Sequence, residues 1–165
     1  MVPWWIATLK RWPINCSSSI VTISVRWATP SDKQLAFVAE HVPHSLIAAR
    51  IAENRIAVAE LDGRPVGAIQ LEYLWGTRPY VALIRVERSV QRQGVGRALL
   101  EFVAGALHAA GHEHLYSSSQ ADEREPQAWH RRMGFAECGF IAGINPGGVG
   151  EVFFVKSVAP AEAER

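Results

Sequence analysis

The chain has 165 residues, 48% of them hydrophobic and 20% charged, with a net charge of +1. That length allows one domain with a buried core, and the near-neutral balance argues against a general nucleic-acid binder, which carries a strong basic excess. No apolar run reaches the roughly 18 to 20 residues that span a bilayer, so no membrane partner is expected.

Residues 1 to 19 hold three tryptophans and two prolines, with Lys10 and Arg11 placed after the first apolar run instead of before it. This is a poor signal peptide and reads as a poorly ordered extension. Ile20 to Trp27 alternates as a strand. Thr29-Pro30-Ser31-Asp32 supplies cap chemistry for a helix carrying Leu35, Phe37 and Val38, Pro43 ends it, and residues 44 to 53 make a second short helix. Ile56 to Leu61 and Val66 to Trp75 are strands joined by the tight turn Asp62-Gly63. Gly76 to Pro79 turns into a strand that runs to Val86. Beyond a long helix, His114 to Ser119 is a strand, and Pro126 starts a short helix through Met133. Two final strands follow, the last from Glu151 to Lys156, and the tail from Ala159 frays. Strands mixed with helices in this order predict an α/β fold in a single domain over residues 20 to 158. Cys16 and Cys138 lie far apart, form neither a metal-ligand pair nor a disulfide framework, and point to a cytoplasmic location.

Residues 83 to 99 organise this pattern, because there a strand gives way to a helix through a loop holding Gly94 and Gly96. Val95, Leu99, Phe102, Val103, Ala106, Leu107 and Ala110 share one helical side, with Gly111 as the stop. The first amides of a helix have no partner within it and sit at the positive end of its dipole, so they suit an anion such as a pyrophosphate. Arg88, Arg92 and Arg97 add positive charge. Neither the dinucleotide fingerprint nor the Walker loop is met.

The stretch Gln91-Arg92-Gln93-Gly94-Val95-Gly96 resembles the acyl-CoA motif of the GNAT superfamily of N-acetyltransferases, Gln/Arg-x-x-Gly-x-Gly/Ala, with Val86 at the usual strand-closing position. Trp129-His130-Arg131-Arg132-Met133-Gly134-Phe135 is similar to a second segment of that family, aromatic-Tyr-x-x-x-Gly-Phe. The resemblance implies a mixed, mostly antiparallel sheet of six to seven strands, splayed at its central strands, with about four helices on both faces. It also implies that acetyl-CoA adds its pantetheine arm to the main chain of Ile84, Arg85 and Val86. The amides of Arg92, Gln93, Gly94, Val95, Gly96 and Arg97, next to Gln91, would then hold the pyrophosphate.

In such proteins a neutral amine attacks the thioester, a main-chain N–H meets the oxyanion, and the thiolate takes a proton, often from a tyrosine. Here His130 occupies the tyrosine position and is the candidate general acid; the alternative is a half-exposed helix residue that lines the cofactor cleft without transferring a proton. Glu72 and Glu87, on or beside the inner strands, are candidate bases. Ser117, Ser118 and Ser119 can contribute a hydroxyl or order water, and the family's asparagine near the start of the later helix falls at Glu123. His108, His112 and His114 do not complete a metal site, so no metal is expected. The implied activity is acetyl transfer from acetyl-CoA to a primary amine of a small molecule or protein. The acceptor would be bounded by residues 43 to 55, 73 to 79 and 141 to 150, in a monomer or homodimer. The alternative is a non-catalytic acyl-CoA-binding sensor or scaffold.

Overall fold

The computed structural model describes residues 12–14, 21–35, 38 and 43–159. Its strands are β1 (Trp12–Ile14), β2 (Val21–Trp27), β3 (Ile56–Leu61), β4 (Arg64–Leu74), β5 (Arg78–Val86), β6 (His114–Gln120), β7 (Ala136–Ile141) and β8 (Glu151–Ser157). Its α-helices among the described residues are α1 (His44–Ala52), α2 (Val95–Ala109) and α3 (Arg124–Arg132). The strand order is β1-β2-β3-β4-β5-β6-β8-β7. β5 pairs with β6 in parallel, and the defined ladders of the other strands are antiparallel. The mixed, mostly antiparallel sheet expected from sequence is thus present.

It has one strand more than expected, because Trp12, Pro13 and Ile14 pair with Ile23, Thr22 and Val21. The rest of the expected extension, the tail from 160 and most of the expected helix around Phe37 lie outside the described residues. The chain comprises two compact units. One holds the described residues up to Gln70 together with Leu83–Phe102, the other Leu71–Ala82 together with the described residues from Val103. β4, β5 and α2 each contribute residues to both.

In the first unit, Asp62 and Gly63 take φ of 50° and 80°, the left-handed pair that a two-residue hairpin needs. β3 is buried on both faces. Ile56 and Val58 join Ala28, Val38, Ile47, Ile51 and Ala68 in one cluster, and Ala57 and Ala59, alternate along the strand, are buried too. The first turns of α2 bury Val95, Ala98 and Leu99, and Phe102 meets Trp27 edge-on with ring centroids 5.0 Å apart.

The helix expected after Thr29 is a short 3₁₀ turn over Pro30–Gln34. Asp32 governs it, because its carboxylate accepts from the Thr29 N–H at 2.7 Å and from two Arg26 nitrogens at 2.7 and 3.1 Å. Arg26 also donates to Glu60 at 2.9 Å, so this buried carboxylate is fastened to β2 and β3.

In the second unit, β6 pairs with β8 from His114↔Ser157 to Gln120↔Glu151. Alternation buries Leu115, Ser117 and Ser119 on one face of β6 and leaves Tyr116 and Ser118 half-buried on the other. The parallel ladder with β5 consists of Tyr80↔Tyr116 and Val81↔Ser117. β4 stops at Leu74, one residue short of expectation, because Trp75 enters the turn at φ 50° followed by Gly76 at 74°. The Thr77 N–H closes that turn on Leu74 O at 3.1 Å. α3 begins two residues before Pro126, which is tolerated because amides of a first helical turn have no intrahelical partner to lose.

Candidate functional site

Two separate sets of residues emerge, one in each unit. In the first, β5 ends at Val86 and a short loop leads into α2. Three bonds brace this loop. The Gln91 side-chain amide donates to Val86 O at 3.0 Å, the Gln93 amide to Ser89 O at 3.3 Å, and the Glu87 N–H to Val66 O at 2.8 Å. Arg92 lies at φ 62° and Gly94 at 90°; the first costs a non-glycine residue backbone strain, of the kind held at ligand-binding loops. The first intrahelical bond joins Ala98 N to Gly94 O at 2.9 Å, so the amides of Val95, Gly96 and Arg97 precede the helical ladder. Arg92, Gln93, Gly94 and Arg97 are exposed and Gly96 half-buried, whereas Val95 is buried.

The ten residues expected at the cofactor therefore divide by role. Gln91 and Gln93 hold the loop in shape, Val95 anchors it in the core, and the glycine amides and exposed arginines present a positive end to an anion. Exposed residues, left-handed conformers and helix-start amides with no partner among the described residues fit a pyrophosphate. Arg85 is exposed and Ile84 and Val86 are half-buried on β5.

Gly67 belongs to this set and was not singled out from sequence. A Cβ built on it would stand 2.6 Å from Arg85 O and 3.2 Å from Val86 Cα, so its bare backbone lets β4 approach the segment expected to meet pantetheine. An isolated glycine inside a strand pattern was the available signal. Glu87 lies beside the loop but is gripped by Arg64, with Nη1 to Oε1 at 3.0 Å and Nη2 to Oε2 at 2.8 Å. The Arg64 guanidinium pulls the Glu87 carboxyl below its ordinary range, which weakens it as a proton acceptor and makes it a brace for the loop.

In the second unit, His130 is buried at 5% exposure, and not half-exposed as its non-catalytic alternative has it. Its ring stacks on Phe154 at 4.5 Å and meets Trp129 and Phe135 edge-on. Nδ1 lies 2.8 Å from Pro126 O and Nε2 2.8 Å from Ser117 Oγ. A carbonyl only accepts, so Nδ1 carries the proton of the neutral ring and Nε2 accepts from the serine. Burial pushes the His130 pKa down, partly opposed by the Pro126 bond and Glu151. Both ring nitrogens are thus engaged with protein atoms.

The Gly134-Phe135 pair of the second motif also has a structural basis. Gly134 N–H donates to Arg131 O at 3.1 Å and Phe135 N–H to His130 O at 3.0 Å, the paired bonds of a Schellman cap. Gly134 sits at φ 84°, and Phe135 folds back onto the His130 ring. Glu72 is half-buried on β4, and Glu123 is exposed before α3. Ser119 Oγ is buried without a hydrogen-bond partner among the described residues. His108, His112 and His114 line a surface hollow of about 470 Å³ with Glu113 and Ser157, and the described residues hold no group of three metal donors.

The opposite face of the same strands carries a set that sequence reasoning did not assemble. Tyr80 Oη lies 2.6 Å from Ser118 Oγ, Ser118 donates to Glu151 Oε1, and Asn145 Nδ2 donates to Glu151 Oε2 at 2.7 Å.

Strand, glycine loop and helix follow one another in the order in which the sequence motifs occur. A family model described as an acetyltransferase (GNAT) domain matches residues 52–137, and the chain belongs to that family, whose membership implies acyltransferase activity. Among solved structures, Ard1 from Thermoplasma volcanium is similar at 17% identity and TM-score 0.72, over 84% of this chain and 99% of that one. The ribosomal-protein-S18-alanine N-acetyltransferase from Escherichia coli is similar at 19% identity and TM-score 0.68, over 87% and 98% of the two chains. A Bacillus anthracis protein described as a streptothricin acetyltransferase, in complex with acetyl coenzyme A, is similar at 19% identity and TM-score 0.58, over 62% and 61%. These likenesses concern the fold. No curated protein matches the chain by sequence.

Proposed function

We propose that this protein transfers the acetyl group of acetyl-CoA directly to a primary amine of a small molecule or protein, in the cytoplasm. The observation that carries the reading is the loop from Arg92 to Arg97, whose left-handed Arg92 and Gly94 and helix-start amides make a cradle for a pyrophosphate. Gln91 fixes that cradle to the end of β5, and the main chain of Ile84 to Val86 continues it as an edge to which an extended arm adds by strand-like hydrogen bonds. Two neighbours in fold support an amine acceptor, since one is named for a protein alanine and the other for streptothricin. The neutral amine attacks the thioester carbonyl, the carbon–sulfur bond breaks, and CoA leaves as a thiolate; a thiol of pKa about 8.5 is an adequate leaving group without a covalent enzyme intermediate.

The test follows free thiol release from acetyl-CoA with an alanine-initiated peptide, streptothricin, spermidine and lysine as acceptors, beside direct measurement of acetyl-CoA binding. Acceptor-dependent thiol release is expected with at least one amine. Saturable acetyl-CoA binding without thiol release from any of them would favour a sensor or scaffold instead.

A further inference from the structure

We propose that Tyr80, Ser118 and Glu151 form a one-way relay that removes the proton from the incoming ammonium, with Tyr80 as the residue the amine meets; this rests on the amine-acetylation reading above. Counting protons fixes the direction. A carboxylate only accepts, so the single proton of Ser118 goes to Glu151 Oε1. Ser118 Oγ must then accept at 2.6 Å from Tyr80. Tyr80 has given away its only proton, and its oxygen keeps a lone pair with which to accept another. Asn145 holds the second oxygen of Glu151 at 2.7 Å, so the terminal acceptor is fixed in orientation.

Placement supports a working relay over a packing contact. β6 sends Ser117 to His130 on one face and Ser118 to Tyr80 and Glu151 on the other, so the two hydrogen-bonded sets are independent. Tyr80, Ser118, Asn145 and Glu151 are each half-buried, sheltered enough to order the chain and open enough to meet a substrate. The Tyr80 ring lies 6.4 Å from Phe153, which shields one side. Burial raises the Tyr80 pKa, so the phenol passes protons without ionising.

The step balances. One N–H bond of the ammonium breaks as a new Oη–H bond forms on Tyr80. The former Tyr80 proton moves to Ser118 Oγ, and the former Ser118 proton to Glu151 Oε1. The amine is left neutral, with the lone pair that attacks the thioester, and Glu151 later returns its proton to water.

The experiment measures kcat/KM against pH for the wild type and for Tyr80→Phe, Ser118→Ala, Ser118→Thr and Glu151→Gln. It uses the same four amines and hydroxylamine, which is largely unprotonated at neutral pH and needs no base. Tyr80→Phe, Ser118→Ala and Glu151→Gln are expected to lose about 100-fold with the ammonium acceptors, at the lower end of general-base effects. With hydroxylamine they should change by less than about threefold, with acetyl-CoA affinity unaltered. Ser118→Thr keeps the hydroxyl and should recover most of the rate that Ser118→Ala loses. Equal losses with hydroxylamine and the other amines, or no loss at all, would overturn the relay. A wild type that binds acetyl-CoA but releases thiol with no amine would overturn the transfer reading and the relay with it.

Discussion

His130 Nε2 and Ser117 Oγ lie 2.8 Å apart in the protein interior, and the pair is built for a neutral ring. To take a proton, Nε2 must become a donor and Ser117 must turn its own proton toward Val81 O, 3.4 Å away. Burial opposes the charge and lowers the folded pKa, while the unfolded ring titrates near about 6.5. Between those values the unfolded chain binds the proton that the folded chain refuses, so stability is full above about pH 6.5 and falls as the pH drops below it. Denaturant midpoints taken above and below that pH should fall for the wild type. His130→Gln should be less stable in neutral solution and show a shallower fall, whereas parallel curves would assign the acid sensitivity to other groups.

Gly67 gives a prediction specific to cofactor binding. A methyl group there would stand 2.6 Å from Arg85 O, a backbone atom that cannot swing aside. Gly67→Ala should shift the Arg85–Val86 main chain and raise KM for acetyl-CoA by about tenfold, equivalent to about 1.4 kcal/mol, with kcat changed less. A raised acceptor KM with an unchanged acetyl-CoA KM would contradict this assignment.

For Glu87 the outcome separates a base from a brace. Its carboxylate is exposed and paired with Arg64, which already occupies both oxygens. Glu87→Gln should keep the acid limb of the kcat/KM profile and alter the rate by no more than about threefold, as expected when an exposed ion pair is removed. Disappearance of the acid limb would restore Glu87 as the base.

What the sequence disclosed, and what it hid, follows from the range of each interaction. The apolar run of Ile56–Leu61, the Asp62-Gly63 turn and the α2 stripe are local, and the strands and helix appear where they were read. The motif at Gln91 to Gly96 is local too, although Gln91 works as a brace for Val86 as well as marking the loop. The contact of Gly67 with Arg85 and the chain from Tyr80 through Ser118 to Glu151 depend on strand register, which no window of neighbouring residues encodes. His130 reads as polar and half-exposed in any helical window. Phe154, two strands later in the chain, stacks on its ring, a contact that no helical window contains.

Asp32 shows the same long-range logic in stability. Its side chain is 5% exposed, and the Arg26 hydrogen bond, opposed by desolvation and helped by Thr29, brings its pKa from 3.8 down to about 2. A shift of that size corresponds to about 2 kcal/mol of folding free energy. Because the folded pKa is depressed, this contribution is present above about pH 4 and disappears as the pH falls toward 2. Asp32→Asn keeps the shape but leaves Arg26 with Glu60 as its remaining carboxylate partner. Urea unfolding at neutral pH should show a loss of about 2 kcal/mol for this variant, and the difference from wild type should close as both are titrated below about pH 3. A difference that stays constant down to acid pH would mean that the hydrogen-bond geometry at Thr29, and not the charge, makes Asp32 stabilising.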